Sequence, residues 1–272
     1  MTASGTTVSA PSGSVAVLDA YVADPPSPQL AVDVFKGDWS SELPGHLGVT
    51  AGTAQLFADS RITWLLEQTG DLSGRTVMEL GPLEGGHTYQ LARAGATVTA
   101  IEANTRAYLK CLITKELLGM DACSFLLGDF VKHLEGHPNE RYDMVLASGV
   151  LYHSTDPVHL LELIARTSDR VALWTHYYDP EVVSTTPSVA RHFSTEPVEA
   201  EHRGTKLVLH RRDYLEALKW TGFCGGPETS ALWLERDGLL TVLDQLGFTD
   251  VRIGSDEPTH VNGPCILLYA QR

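Results

Sequence analysis

The sequence predicts an α/β fold of Rossmann-like type: a mostly parallel sheet with an antiparallel last strand, helices on both faces and an inserted lid. Three observations predict it. From residue 75 short apolar runs alternate with helical patterns, the rhythm of a parallel sheet covered on both faces. The first apolar run, RTVMEL, enters a turn with three glycines and a proline, ELGPLEGGH, and a helical stretch follows. After a break the rhythm returns and closes with two strands joined by a short connection, which suits an antiparallel finish.

The elements follow in order along the chain. Residues 1–20 begin MTASGTTVSAPSGS, without the basic and apolar regions of a signal peptide, and read as a disordered tail. Residues 21–70 read as an arm rich in proline and aromatics, then a helix over 52–69, together covering the site. The core is expected over 71–178. Its strands are VMEL, TVTAIE, SFLLG, YDMVLAS and RVALWTHY, and its helices span 86–94, 104–118, 129–135 and 157–167. Residues 179–232 break the rhythm and read as an insertion or lid over the acceptor, with one helical stretch at 211–219 and hinge freedom at Gly225 and Gly226. Residues 233–272 bring a helix over 235–246 and strands near 249–254 and 265–270.

Composition narrows the function. The 272 residues carry a formal net charge of −14, and the basic residues do not cluster. A nucleic-acid partner is disfavoured by that charge. Four cysteines lie at 111, 123, 224 and 265, none in CxxC spacing. They point to a reducing, cytoplasmic compartment, with Cys111 and Cys123 as buried thiols. No apolar run approaches membrane-spanning length.

The glycine turn carries the first functional signal. In the dinucleotide fingerprint a glycine lets the backbone approach a pyrophosphate, but here Leu83 holds that position and Glu84 adds a negative charge. A cofactor without phosphates fits better. S-adenosylmethionine brings a sulfonium and an α-ammonium, so Glu79 is expected at its cationic end, directly or through water. Gly81, Gly85 and Gly86 are expected to give close backbone approach. Glu102 ends the second strand about 20 residues after Gly81, the distance at which an acid accepts ribose hydroxyls. Asn104 then caps the next helix. In LLGDF, Asp129 can accept the adenine amino group, or only cap the following helix, and Phe130 can pack on the ring.

ELGPLEGG, IEAN, GDF and YDMVLASGVLYH resemble motifs of the class I S-adenosylmethionine-dependent methyltransferases. The resemblance implies that family's fold over about residues 75–178, with the order of elements extending it to the end. It adds Pro82, Ala103 and Ser148 to the cofactor set. The turn departs from the commoner GxGxG form at Pro82-Leu83. In this family the methyl lies near the carboxyl ends of the fourth and fifth strands. There the chain has SGVLYH, without the motif of exocyclic-amine methylases.

Transfer to a hydroxyl calls for a positioned base, and histidine is the commonest. His153 follows the fourth strand and His176 ends the fifth, so both are candidate catalytic residues, with His153 the first choice. Asp156 and His176 are candidate ligands for magnesium; Asp156 can also be a simple helix cap. The expected acceptor wall is Trp39, Tyr152, Tyr177, Tyr178 and Trp233, with the charged pair Asp59 and Arg61. Some of these aromatics can equally be core. The pattern FKGDWSSELP, FADSRITW, SGVLYH and WTHYY also resembles small-molecule and sugar O-methyltransferases, the methylmannose-polysaccharide type included. It implies a small-molecule or oligosaccharide acceptor, a mannoside among them, or a natural product. GVLYH alone resembles tRNA wobble-uridine carboxymethyl transferases.

Overall fold

A computed structural model describes residues 21–220 and 222–272. The expected tail over 1–20 lies outside the described residues. Seven strands form the main sheet: β1 (Thr76–Leu80), β2 (Thr97–Glu102), β3 (Cys123–Leu127), β4 (Met144–Ser148), β5 (Arg170–His176), β9 (Asp250–Glu257) and β10 (Cys265–Gln271). Their order is β3-β2-β1-β4-β5-β10-β9. Adjacent strands from β3 to β5 pair in parallel, while β10 runs antiparallel to both β5 and β9.

Side-chain alternation along these strands builds two cores. Met78 and Leu80, Val145 and Ala147, Leu173, Leu268 and Ala270 face one side. The helices α6 (Pro157–Thr167) and α9 (Arg236–Gln245) close that side. The intervening Val77, Met144, Leu146, Ala172 and Tyr269 face the other. There α2 (Ser60–Thr69), α3 (Gly86–Arg93) and α4 (Thr105–Leu118) cover them. Period-two burial on both faces is what a strand covered by helices on each side requires. The helix α5 (Phe130–Gly136) follows β3.

The N-terminal arm begins with α1 (Pro28–Asp33), whose Ser27 cap accepts the Leu30 N–H. Trp39 sits in a small third core with Val32, Leu43 and Phe57. Glu84 of the glycine turn fastens this arm. Its carboxylate accepts the N–H groups of Ser40 at 2.9 Å and Ser41 at 2.7 Å, and Lys110 of α4 pairs with it at 2.8 Å. The expected helix over 52–69 is shorter. A single 3₁₀ turn occupies Leu56–Ala58, and α2 begins after Asp59, whose side chain accepts the Arg61 N–H as its cap.

The insertion holds two short helices, α7 (Pro180–Thr185) and α8 (Pro187–Ala190). It also holds a separate antiparallel sheet of β6 (Val198–His202), β7 (Thr205–Asp213) and β8 (Ser230–Leu234), in that order. The helical stretch expected at 211–219 is corrected: 211–213 end β7, and only a 3₁₀ turn, Leu215–Lys219, follows. Leu207 and Leu209 are buried at strand spacing, and Arg211 and Arg212 hide that period in the sequence. No helix among the described residues is long and apolar enough to cross a membrane.

Gly86 shows how tightly the arm meets the core. A Cβ there would lie 2.6 Å from the backbone of Leu56. Gly86→Ala should lower stability by about 1–3 kcal/mol, as overpacking does, read as a lower midpoint in chemical denaturation. An unchanged midpoint would mean that Leu56 moves aside freely.

Candidate active site

A cavity of about 960 Å³ opens at the carboxyl ends of the parallel strands. This is where open α/β sheets bind ligands, and the volume suits a cofactor plus a small acceptor. The turn after β1 supplies Gly81, Pro82 and Leu83; the end of β2 supplies Glu102 and Ala103. Asp129 and Phe130 come from the β3–α5 junction, and Ser148 from the end of β4. Seven expected cofactor residues therefore border one space: Gly81, Pro82, Glu102, Ala103, Asp129, Phe130 and Ser148.

The three acids of this region do different things. Glu102 borders the cavity, and its two oxygens accept the N–H groups of Leu83 at 3.1 Å and Asn104 at 2.8 Å. Burial raises its pKa, and those N–H groups pull the other way. Glu79 is almost fully buried and does not border the cavity; it accepts the Thr88 hydroxyl. Burial raises its pKa too. The strand turns its side chain into the interior, so it does not reach the cavity directly. Glu84 serves the arm, as described above. Gly81 has φ +65°, and a Cβ there would lie 2.7 Å from Val150 Cγ1, so only glycine fits this turn. Gly85 backs onto Phe125 and Thr114 instead of the cavity.

Asp129 spends one oxygen on capping α5, at 2.8 Å from the Val131 nitrogen, while also bordering the cavity. The Ser148 hydroxyl is buried without a hydrogen-bond partner among the described residues.

The other end of the cavity is aromatic. Tyr152, His153, Trp174 and Phe223 border it. His153 Nδ1 lies 2.7 Å from the Tyr214 hydroxyl, and its ring packs against Tyr152 at 4.2 Å. Arg61 lies over Trp174 at 4.6 Å and also borders the cavity. Asp59 holds Arg61 from behind and accepts His87 Nε2 at 2.9 Å. Burial would raise the Asp59 pKa, but hydrogen bonds from His87 and Arg61 override it and hold it well below the usual range. The segment 223–228 of the insertion completes the wall.

Several expected acceptor residues lie elsewhere. Trp39 belongs to the arm core and donates to the Val32 carbonyl. Tyr177 donates to Asp256 at 2.8 Å, and Tyr178 stacks on His210. Trp233 stands behind Tyr152, donating to its carbonyl at 2.9 Å. His176 is buried behind Trp174 and Tyr152, its Nδ1 donating to the carbonyls of Gly263 and Pro264. Asp156 caps α6 and is exposed. Among the described residues His176 groups with His260 and Cys265 and Asp156 is an exposed cap, so the magnesium site expected from Asp156 and His176 is not supported. Proximity to a strand end did not tell which way each side chain turns. His87, Phe223 and Tyr214 escaped the sequence reading, and Trp174, which reads as core inside the fifth strand, borders the cavity instead; His87, directly after the glycine turn, carried the clearest signal.

A family model described as a methyltransferase domain matches residues 71–199. The N-terminal domain of EvdMO1, crystallised in the presence of SAH and D-fucose, superposes with TM-score 0.66 at 23% identity, over 90% of this chain and 94% of that one. Magnesium protoporphyrin IX methyltransferase from Synechocystis PCC 6803, with bound SAH, gives TM-score 0.53 at 19% identity, over 79% and 81%. Residues 71–199 thus match a methyltransferase domain, and the chain shares the fold of methyltransferases solved with SAH. A tRNA U34 carboxymethyltransferase of Klebsiella pneumoniae is 33% identical over 101 residues, 36% of this chain. That match spans only 30% of the relative's length.

Burial sets the cavity histidine, His153, to be neutral. Burial, then the charge of Arg212 and the nearby His176, push His153 down to about 3. Its unfolded value is near 6.5. Between those values the unfolded chain binds a proton that the folded chain excludes, so stability rises with pH across that window. The contribution is complete above about 6.5 and is lost as pH falls toward about 3. Denaturation midpoints measured through this range should fall with pH, and less steeply in His153→Gln. Equal slopes would contradict a buried neutral His153.

Proposed function

We propose that the chain transfers the methyl group of S-adenosylmethionine to a hydroxyl of a saccharide, a mannoside among the candidates, or of a similar polar small molecule. The observation that carries this reading is that His153 borders the same cavity as Glu102 and the glycine turn, within a wall of aromatic rings. Glu102 accepts the ribose hydroxyls, Asp129 the adenine amino group, and Phe130 packs on the adenine. Gly81, Pro82, Ala103 and Ser148 line the rest of the cofactor. Tyr152, Trp174 and Phe223 offer flat faces to the apolar sides of a sugar ring, and Arg61, braced by Asp59, offers a fixed cation.

The chemistry asks for little more. The sulfonium is already a good leaving group, so the acceptor must be aligned in line with it and lose its proton as the bond forms. His153 takes that proton at Nε2 in the tautomer whose Nδ1–H donates to the Tyr214 oxygen. A histidine that stays neutral has its lone pair available throughout the neutral range. The presence of D-fucose in the crystals of one fold relative favours a sugar.

The local match to a tRNA-modifying enzyme favours a second reading, methylation or related modification of tRNA. The charge around the cavity argues against it: among the described residues Glu102, Asp129 and Glu228 border it against a single basic side chain, Arg61, where a phosphate backbone needs a basic path.

Incubation with S-adenosylmethionine and a glycan library, beside unmodified tRNA, tests the two readings by mass spectrometry. A saccharide should gain one methyl group on oxygen and tRNA none; methylated tRNA with inert glycans reverses the assignment. On the true acceptor, His153→Ala should cut turnover about 10²–10⁴-fold, as loss of a general base does, with cofactor affinity little changed because the base acts only in the transition state. Near-normal turnover would leave alignment alone as the source of catalysis.

A further inference from the structure

Behind the aromatic wall, three metal-type donors converge. His176 ends β5, and Cys265 begins β10 as its partner in register. His260 comes from the turn between β9 and β10. One donor atom from each lies within 4.8 Å of the other two. His176 and Cys265 are buried at 6% and 1% exposure, so this is an interior cluster and not a chance meeting of surface side chains.

The surroundings hold the cluster in the way metal ligands are held. His176 Nδ1 donates to the carbonyls of Gly263 at 2.9 Å and Pro264 at 3.1 Å. That fixes the tautomer and leaves Nε2 as the lone-pair nitrogen, the arrangement proteins use to orient a ligating histidine. Trp233 stacks on the His176 ring at 5.0 Å, and Tyr152 and Trp174 meet it edge-on. The ring therefore has no freedom to turn away.

We infer that His176, His260 and Cys265 form a site for a zinc-class divalent cation, with three protein ligands and a fourth position open. Two imidazoles and a thiolate are the donors that borderline-soft cations prefer, and magnesium, which demands oxygen, is not expected there. Tetrahedral bonds of roughly 2.0–2.3 Å place donor atoms roughly 3.3–3.8 Å apart. Donor atoms within 4.8 Å of one another would have to close by up to about 1 Å to reach that spacing. On binding, the metal–sulfur bond forms as the Cys265 S–H bond breaks and its proton passes to solvent. The cation would tie β5, β10 and the turn between β9 and β10 together directly behind Trp174 and Tyr152, two walls of the cavity. This site stands or falls independently of the acceptor proposed above.

A second group, His133, His137 and Glu140, also converges, but it is more open to solvent and has no sulfur. The experiment must separate the two. The full-length protein, reduced and freed of metal with chelator, is titrated with cobalt(II) and followed by absorption. A thiolate-to-cobalt charge-transfer band should appear together with the visible bands of a tetrahedral ion, and zinc should displace both. Cys265→Ser should abolish the charge-transfer band, His260→Ala should weaken cobalt binding at least ~10-fold, and His133→Gln should leave the spectrum unchanged. S-adenosylhomocysteine binding by each variant checks that it is folded, and Cys265→Ala serves if Cys265→Ser is not. Absence of the band in the wild type, or its survival without Cys265, overturns the site.

Discussion

The buried carboxylate of Glu84 is the point on which the site is built. Its side chain has no exposure, and it meets the ammonium of Lys110, itself nearly buried. A buried charge is tolerated only when its lone pairs are filled, and the two backbone N–H groups of Ser40 and Ser41 fill the rest. Three elements far apart in sequence are thereby locked together: the arm, the glycine turn and α4. Lys110 also stands over Trp39 at 5.4 Å, so the same cation anchors the aromatic cluster of the arm. With the turn held, Leu83 keeps a left-handed backbone, φ 56°, and turns its N–H to Glu102. The geometry of the cofactor end follows from that.

This division of acids explains how an acidic glycine turn can serve a cofactor site. One acid is consumed by the interior, one by the arm, and the third remains at the cavity. Opposite it the wall is aromatic, with a neutral histidine and one braced arginine. The two ends of the cavity thus differ in character: carboxylate hydrogen-bond acceptors at one, flat aromatic faces at the other.

The strand–helix rhythm made the main sheet legible, since period-two burial and capping residues are local properties of the chain. Glu102, Asp129 and Ser148 were legible for a related reason: strand ends in this topology meet at one crevice. Direction was not legible. Glu79 and Glu84 look alike in the sequence, and only the folded arm shows whose N–H groups fill their lone pairs. Trp39, Tyr177, Tyr178 and Trp233 sit near the expected places but pack against partners from distant segments. His176 was found as a strand-end histidine, yet His260 and Cys265, which meet it, lie more than a full βαβ unit away. In the insertion, β7 was hidden because Arg211 and Arg212 interrupt its alternation.

The central claim is that Glu102, and not Glu79, is the carboxylate that meets the cofactor. Calorimetry of S-adenosylhomocysteine binding to Glu102→Gln and Glu79→Gln tests it most directly. A hydrogen bond to a charged group contributes about 1.5–3 kcal/mol, so Glu102→Gln should weaken binding by at least about tenfold, while Glu79→Gln, if folded, should bind nearly as the wild type does. Undiminished binding by Glu102→Gln, with the loss falling on Glu79→Gln, would contradict the account.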